Sequence, residues 1–289
     1  MKPLFMWAGG KTKMQKHYKP YLPKLFDTYI EPFFGGGAMM IQALKINPKA
    51  KVVINDINPS IVNIYSAIKD NIKPFLEELD RLDSVFIPMN KEDRKQFYYT
   101  IRNEHAWDAA TWSKPYEAAR LYFLMKTGFN GIWQINKNTN NRFGTPSGLL
   151  TQKTSVYDRQ NVLEWHRTLQ TTTIMCGDYK DTLVHADENT WVFMDPPYRG
   201  GFTKYGVEFD DNCQREVVDN ARWLTEEHFS TVWITNRDIG DDFFDEYKTM
   251  QRYQFDVVYT AGRRKKTEGG FEAKKAKEIL LISSPSIVI

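Results

Sequence analysis

The sequence has little with which to cross-link itself or to span a bilayer. Two cysteines, Cys176 and Cys213, stand among 289 residues. That is too few for a disulfide framework and points to a reducing compartment. The five histidines (His17, His105, His166, His185 and His228) form no close cluster with cysteine, so no metal site is expected. No run of about 18 apolar residues exists, so no membrane contact is expected. The first residues reach Gly9, Gly10 and Lys11 before any apolar stretch long enough for a signal peptide, and a cytoplasmic location is the expectation. Net charge is only +3, which at face value argues against a strongly nucleic-acid-binding protein.

What is present suits a large globular core. Hydrophobic residues make up 42% of the chain and aromatics 14%, enough for one large domain or two modest ones. The first third reads β–α–β. Thr28–Glu31 is a short strand, Gly35-Gly36-Gly37 a turn, and 38–44 a helix. Lys51–Asp56 is a β-branched strand suited to a parallel sheet. Asn58-Pro59 marks a helix start, with Ile61, Ile64, Tyr65 and Ile68 as its apolar stripe. From about 70 to 130 the periodicity is helical, including 115–127, and 130–148 is an Asn- and Gly-rich loop. Strands return at 173–176, 191–194, 231–235, 255–259 and 279–282, with helices near 213–228 and 241–248. The pattern predicts an α/β sheet interrupted by a mostly helical insertion.

Three segments carry chemistry. Glu31 to Gly37 takes a strand through a glycine turn into a helix, where a ligand can approach the backbone. Asp56 ends the next strand, 19 residues after Gly37, and a carboxylate there suits ribose hydroxyls. A glycine turn with a surface Asp explains this segment equally well. Asp195-Pro196-Pro197-Tyr198 is the most specific feature. It follows the apolar run Trp191–Met194 directly, at the strand end where open α/β sheets place ligands. An Asp acceptor, a carbonyl stripped of neighbouring donors and an aromatic face suit a planar group bearing an NH₂. Gly177-Asp178 is a weaker signal, more often a plain turn. Gly9-Gly10-Lys11-Thr12 ends like a phosphate-binding loop, but Phe5 stands where its first glycine belongs, so no NTPase is read.

Trp7-Ala8-Gly9-Gly10-Lys11, Glu31-Pro32-Phe33-Phe34-Gly35-Gly36-Gly37, Asn55-Asp56-Ile57-Asn58, Phe129-Asn130-Gly131 and Asp195-Pro196-Pro197-Tyr198 occur in that order. In this the chain resembles the Dam-type DNA adenine-N6 methyltransferases over nearly its whole length. The resemblance implies a Rossmann-like S-adenosylmethionine-dependent methyltransferase sheet built from 1–68 and 150–289, with a helical target-recognition insertion at 69–149. It implies S-adenosylmethionine as donor, released as S-adenosylhomocysteine, with Trp7, Lys11, Phe33, Gly35, Gly37, Asp56, Asp178 and Asp195 around it. Asp195, Pro196, Pro197 and Tyr198 are the implied catalytic residues, acting on an adenine flipped from double-stranded DNA by a monomeric protein. Phe129, Asn130, Ile132, Gln134, Asn136, Pro146, Arg263, Arg264, Lys265 and Lys266 are the implied DNA contacts. Many relatives carry Arg at the position of Gln134 and some Lys at that of Met6. Since Gln favours adenine where Arg and Lys favour guanine, the target is expected to differ from GATC.

Rival readings are methylation of RNA or of a protein glutamine, a catalytically dead DNA-binding module, and a nicotinamide oxidoreductase. The missing G-x-G-x-x-G disfavours the last. The charge itself is polarised. The first 25 residues hold six lysines and no acid, and 263–278 carries seven basic residues against three acidic, net +4, so the rest of the +3 chain carries −7. Charge placement therefore admits a nucleic-acid partner that the total conceals.

Overall fold

The computed structural model describes residues 1–103, 114–136, 142–200, 209–245, 247–259, 265–267, 270–272 and 274–285. Its early elements are α1 (Gln15–Tyr18), β1 (Thr28–Glu31), α2 (Ala38–Ile46), β2 (Lys51–Asp56) and α3 (Pro59–Asp70). Then come α4 (Ile72–Phe86), α5 (Lys91–Asn103), α6 (Pro115–Thr127), β3 (Ile135–Asn136), β4 (Arg142–Phe143) and α7 (Arg159–Leu169). The chain continues through β5 (Thr172–Cys176), β6 (Thr190–Met194), α8 (Asp211–His228), β7 (Thr231–Asp238) and β8 (Gln251–Tyr259). It ends with β9 (Lys265–Thr267), β10 (Gly270–Glu272) and β11 (Lys274–Ser283).

Seven strands form one mixed sheet in the order β5-β2-β1-β6-β7-β11-β8. β1 lies parallel to β2 and to β6, and β6 parallel to β7. β11 is antiparallel to both β7 and β8. The strand order reverses between β1 and β6, so the sheet is doubly wound about that point, and open sheets of this kind take ligands outside the strand carboxyl ends there. All five residues of β6 are buried, as expected of a parallel strand covered on both faces. The α/β sheet expected from the sequence is thus present.

The chain divides into two compact units. The first comprises Met1–Lys11, Gly35–Ile41 and Asn55–Asp178. Here Asn58 caps α3 by accepting from the Ser60 N–H, with Pro59 opening the helix, and Ile61, Ile64, Tyr65 and Ile68 are buried as their spacing predicts. In the helical stretch α4–α6, Phe75 meets Tyr122 edge-on and Phe86 meets Phe123 edge-on. The buried Arg94 guanidinium donates to the carbonyls of Phe86, Ile87, Leu150 and Gln152, tying α5 to the chain beyond the loop.

The second unit comprises Thr12–Phe34, Gln42–Ile54 and Tyr179–Ile289. Its core is aromatic: Trp191 packs against Trp233 at 5.2 Å between ring centroids and against Tyr29 at 5.0 Å, all three fully buried. Asp210 caps α8 by accepting from the Cys213 N–H.

Two expectations are corrected. No helix forms among the described residues of 241–248, which make bends and turns where a helix was expected. Gly240 turns the chain with φ +88°, and the Asp241 carboxylate is drawn to Arg199 rather than aligned with a helix. The loop at 130–148 is also less irregular than expected, since β3 and β4 pair antiparallel within it. Among the described residues no helix is long and apolar enough to cross a membrane.

Candidate active site

β6 ends at Met194 and hands the chain to Asp195-Pro196-Pro197-Tyr198. Neither proline has an N–H to donate. This turn is held by side chains of β7, α8 and β11. Thr235 Oγ1 on β7 donates to Asp195 Oδ1 at 2.6 Å. Gln214 Nε2 on α8 donates to the Pro197 carbonyl at 2.6 Å. Asn236 Oδ1 accepts from the Arg199 N–H at 3.1 Å, and Asn236 Nδ2 donates to Gln214 Oε1 at 2.8 Å. The Tyr198 hydroxyl donates to Glu278 Oε2 on β11 at 3.2 Å. Burial, then the Asp195 and Glu278 carboxylates, push the Tyr198 phenol well above its ordinary value, with Thr235 opposing.

Just beyond the turn, the buried Arg199 guanidinium grips Asp211 through two bonds of 2.7 and 2.8 Å and Asp241 through one of 2.9 Å. It also lies 3.8 Å from the Phe243 ring centroid. The guanidinium holds both carboxyls below the usual carboxylate range. At the end of β1, the Tyr29 hydroxyl donates to Glu31 Oε2 at 2.7 Å, both groups buried. Phe33 stacks on Tyr179 at 5.0 Å.

The remaining cofactor candidates lie in the first unit. Gly35 has φ +49°, and a Cβ there would stand 2.6 Å from Trp7 Nε1, so only glycine admits this close approach. The Gly35 carbonyl accepts from the buried Tyr65 hydroxyl at 2.8 Å. The Asp56 carboxylate is bound at both oxygens, by the Gly35 N–H at 2.8 Å and the Asn58 N–H at 2.9 Å. Burial nevertheless raises its pKa, against the pull of those two bonds. Gly37 precedes α2 with φ +67°. Lys11 is buried, its Nζ donating to the Gly9 carbonyl at 2.6 Å. Asp178 is exposed directly after Gly177, whose carbonyl accepts from Asn55 Nδ2.

Several DNA candidates are brought together by one ladder. The Phe129 N–H donates to the Pro146 carbonyl at 2.9 Å, Gly144 N–H to the Gln134 carbonyl at 2.7 Å, and Thr145 Oγ1 to the Ile132 carbonyl at 2.7 Å. Phe129-Asn130-Gly131 is a tight turn, with Asn130 at φ 52° and Gly131 at φ 60°. A Cβ on Gly131 would meet the Met6 carbonyl at 2.4 Å, so the turn sits on the N-terminal segment. Phe129 is 45% exposed and Met6 64%. Gln134 and Pro146 are exposed too, while Ile132 is half-buried. Asn136 ends β3, and Lys265 and Lys266 stand in β9, which pairs with β10. Arg263, Arg264 and the loop tip at 137–141 lie outside the described residues.

Sequence reasoning did not single out Thr235, Asn236, Gln214 or Glu278. The available signal was polarity out of place, in Thr235-Asn236 closing the apolar run Val232-Trp233-Ile234.

The sheet is doubly wound, and the Asp195 turn stands at the carboxyl end of β6, beside the point where the strand order reverses. The family model for the D12 class N6 adenine-specific DNA methyltransferases matches residues 7–268, and the chain belongs to that family. It is 32% identical over 235 residues to Type II methyltransferase M.MjaIII of Methanocaldococcus jannaschii, covering 78% of this chain and 80% of the relative. It is 27% identical to the DNA adenine methylase of Haemophilus influenzae, covering 82% and 80%. It is 28% identical to Type II methyltransferase M1.LlaDCHI of Lactococcus lactis, covering 93% and 92%. The chain is therefore an enzyme that methylates adenine N6 in DNA with S-adenosylmethionine as donor.

Proposed function

We propose that Asp195 and the Pro196 carbonyl each accept one N6 hydrogen of the target adenine. The observation that carries this is the Asp195–Tyr198 turn at the carboxyl end of β6, its side chain and backbone held by Thr235 and Gln214. The adenine amine is a poor nucleophile because its lone pair is delocalised into the ring. Two acceptors on its hydrogens draw it toward tetrahedral geometry and free that lone pair, so the protein contributes orientation and electrostatics rather than strong base catalysis. The Tyr198 ring stacks on the base. Pro197 stiffens the turn.

Trp7, Lys11, Phe33, Gly35, Gly37, Asp56, Asp178 and Asp195 are the residues assigned to the cofactor. S-adenosylmethionine, when bound, supplies a methyl group on a cationic sulfur. Asp56 accepts from its ribose hydroxyls and Asp178 from its adenine amine. The fit is supported by the fixed carboxylate of Asp56, held at both oxygens by backbone N–H groups.

Residues 69–149 form the target-recognition insertion in this reading, within a catalytic domain made of 1–68 and 150–289. The substrate is duplex DNA, from which the adenine is flipped at a cost of a few kcal/mol. Phe129 serves as a wedge or stacking surface, and Asn130, Ile132, Gln134, Asn136 and Pro146 face the bases and backbone. Arg263, Arg264, Lys265 and Lys266 meet phosphates. Gln134 and Met6 shift the target away from GATC. The protein acts as a monomer in a prokaryotic cytoplasm or a phage-infected host. The relatives named type II methyltransferases support a restriction-modification setting.

Labelled S-adenosylmethionine offered with duplex DNA, RNA and a release factor tests the substrate. Label is expected in duplex DNA; label in RNA alone contradicts the reading.

A further inference from the structure

We propose that Thr235 is the positioning residue for Asp195, and that with its neighbour Asn236 it aligns both acceptors of the adenine amine. The proposal rests on the role given to Asp195 above.

The placement follows from strand register. β6 and β7 run parallel with Met194 opposite Ile234, so the next pair is Asp195 and Thr235. A carboxylate at the start of a turn rotates easily about its last torsion. The Thr235 hydroxyl sits on a β-branched side chain, stiff at its first torsion, on a strand paired on both sides. Its 2.6 Å bond to Asp195 Oδ1 thus sets the carboxylate plane from the sheet rather than from the loop.

Successive strand residues face opposite sides of a sheet, and Asn236 works from the other one. It accepts from the Arg199 N–H at 3.1 Å and donates to Gln214, which in turn holds the Pro197 carbonyl at 2.6 Å. The Pro196 carbonyl therefore lies between two fixed points, the Asp195 carboxylate and the Pro197 carbonyl, on a chain stiffened by two proline rings. Thr235 and Asn236 are fully buried and Gln214 nearly so. A buried hydroxyl costs stability unless it is hydrogen-bonded, and valine would fill the same volume in this apolar run. The hydroxyl is taken up by its bond to Asp195 and by the Tyr198 hydroxyl beside it, both on the turn it positions.

The test compares Thr235→Val, Thr235→Ser and Asp195→Ala in single-turnover methyl transfer to duplex DNA at saturating cofactor, with cofactor Kd by calorimetry. Thr235→Val is expected to slow transfer roughly 10- to 100-fold while cofactor Kd and the KM for DNA stay within about two-fold. Thr235→Ser, which keeps the hydroxyl, is expected within about three-fold of wild type. A packing role predicts the reverse order, Val close to wild type and Ser slower, and that order overturns the proposal. Should Thr235→Val fail to fold, Gln214→Met removes the bond to the Pro197 carbonyl from outside the sheet. It is expected to slow transfer with cofactor Kd unchanged, and a wild-type rate contradicts the Asn236 arm. An inactive Asp195→Ala beside a Thr235→Val of wild-type speed overturns this proposal alone. A wild-type rate in Asp195→Ala overturns the underlying reading and the proposal with it.

Discussion

The Gly35 N–H donates to Asp56 Oδ2 at 2.8 Å, joining the glycine turn before α2 to the end of β2. With Asn58 on the other oxygen, the carboxylate is oriented before any ligand arrives. Asp56→Asn is expected to weaken S-adenosylmethionine binding roughly 10- to 100-fold, the worth of hydrogen bonds to a charged acceptor. Isothermal calorimetry measures it, and unchanged affinity contradicts the role.

The same carboxyl sets a pH dependence. Burial holds Asp56 above the ordinary aspartate range. For a raised acid the contribution to folding is present below the unfolded value and lost as pH rises through the folded one. Cofactor binding runs the other way, because ribose hydroxyls need the carboxylate. Affinity is therefore expected to fall as pH is lowered through the raised value, while the Asp56 contribution to folding grows. Calorimetry over a pH series descending from neutrality to the ordinary aspartate value near 3.9 checks this; an affinity that stays flat down to that value contradicts it.

Gly35→Ala places a methyl group 2.6 Å from the Trp7 indole nitrogen at φ +49°. A cost of about 1–3 kcal/mol is expected from strain of this kind, together with loss of cofactor binding. Chemical denaturation and calorimetry read the two effects, and wild-type values in both refute the close-approach account.

How much of this was legible in the sequence depended on locality. Asp195-Pro196-Pro197-Tyr198 was legible because the motif is contiguous and follows a run of buried strand residues. The α3 cap at Asn58 was legible for the same reason. Thr235 was not, because its role comes from being level with Asp195 across a parallel pair, and register between distant strands is not written in either segment. The helix wrongly expected at 241–248 shows the same limit. Asp241 and Phe243 are taken up by Arg199, 42 residues before Asp241, and that tertiary demand outweighs local propensity. In 130–148 the Asn-rich composition indicated a loop but not the β3–β4 pairing inside it.

Tyr198 separates ring from hydroxyl. Its phenol is pushed well above the ordinary value, so it stays protonated through the neutral range. Tyr198→Phe keeps the stacking surface and is expected to retain transfer within about ten-fold, whereas Tyr198→Ala loses about 100-fold or more, since base stacking is worth roughly 1–3 kcal/mol and positioning adds to it. Steady-state kinetics distinguish the two, and equal losses contradict a stacking role.

The basic segment near β9 predicts a salt effect. Neutralising Arg263, Arg264, Lys265 and Lys266 together is expected to flatten the dependence of log affinity on log salt by up to about 3–4, close to 0.9 per phosphate contact. Fluorescence anisotropy over a salt series measures the slope, and an unchanged slope contradicts the assignment.

In the function proposed above, methyl transfer to adenine N6 in duplex DNA runs through Asp195. Single-molecule sequencing of DNA from cells expressing the wild type or Asp195→Ala tests it most directly, because it reports the modified base and its context together. N6-methyladenine is expected in one short sequence context with the wild type and none above background with Asp195→Ala. Absence of N6-methyladenine with the wild type, or the same modification with Asp195→Ala, would contradict it.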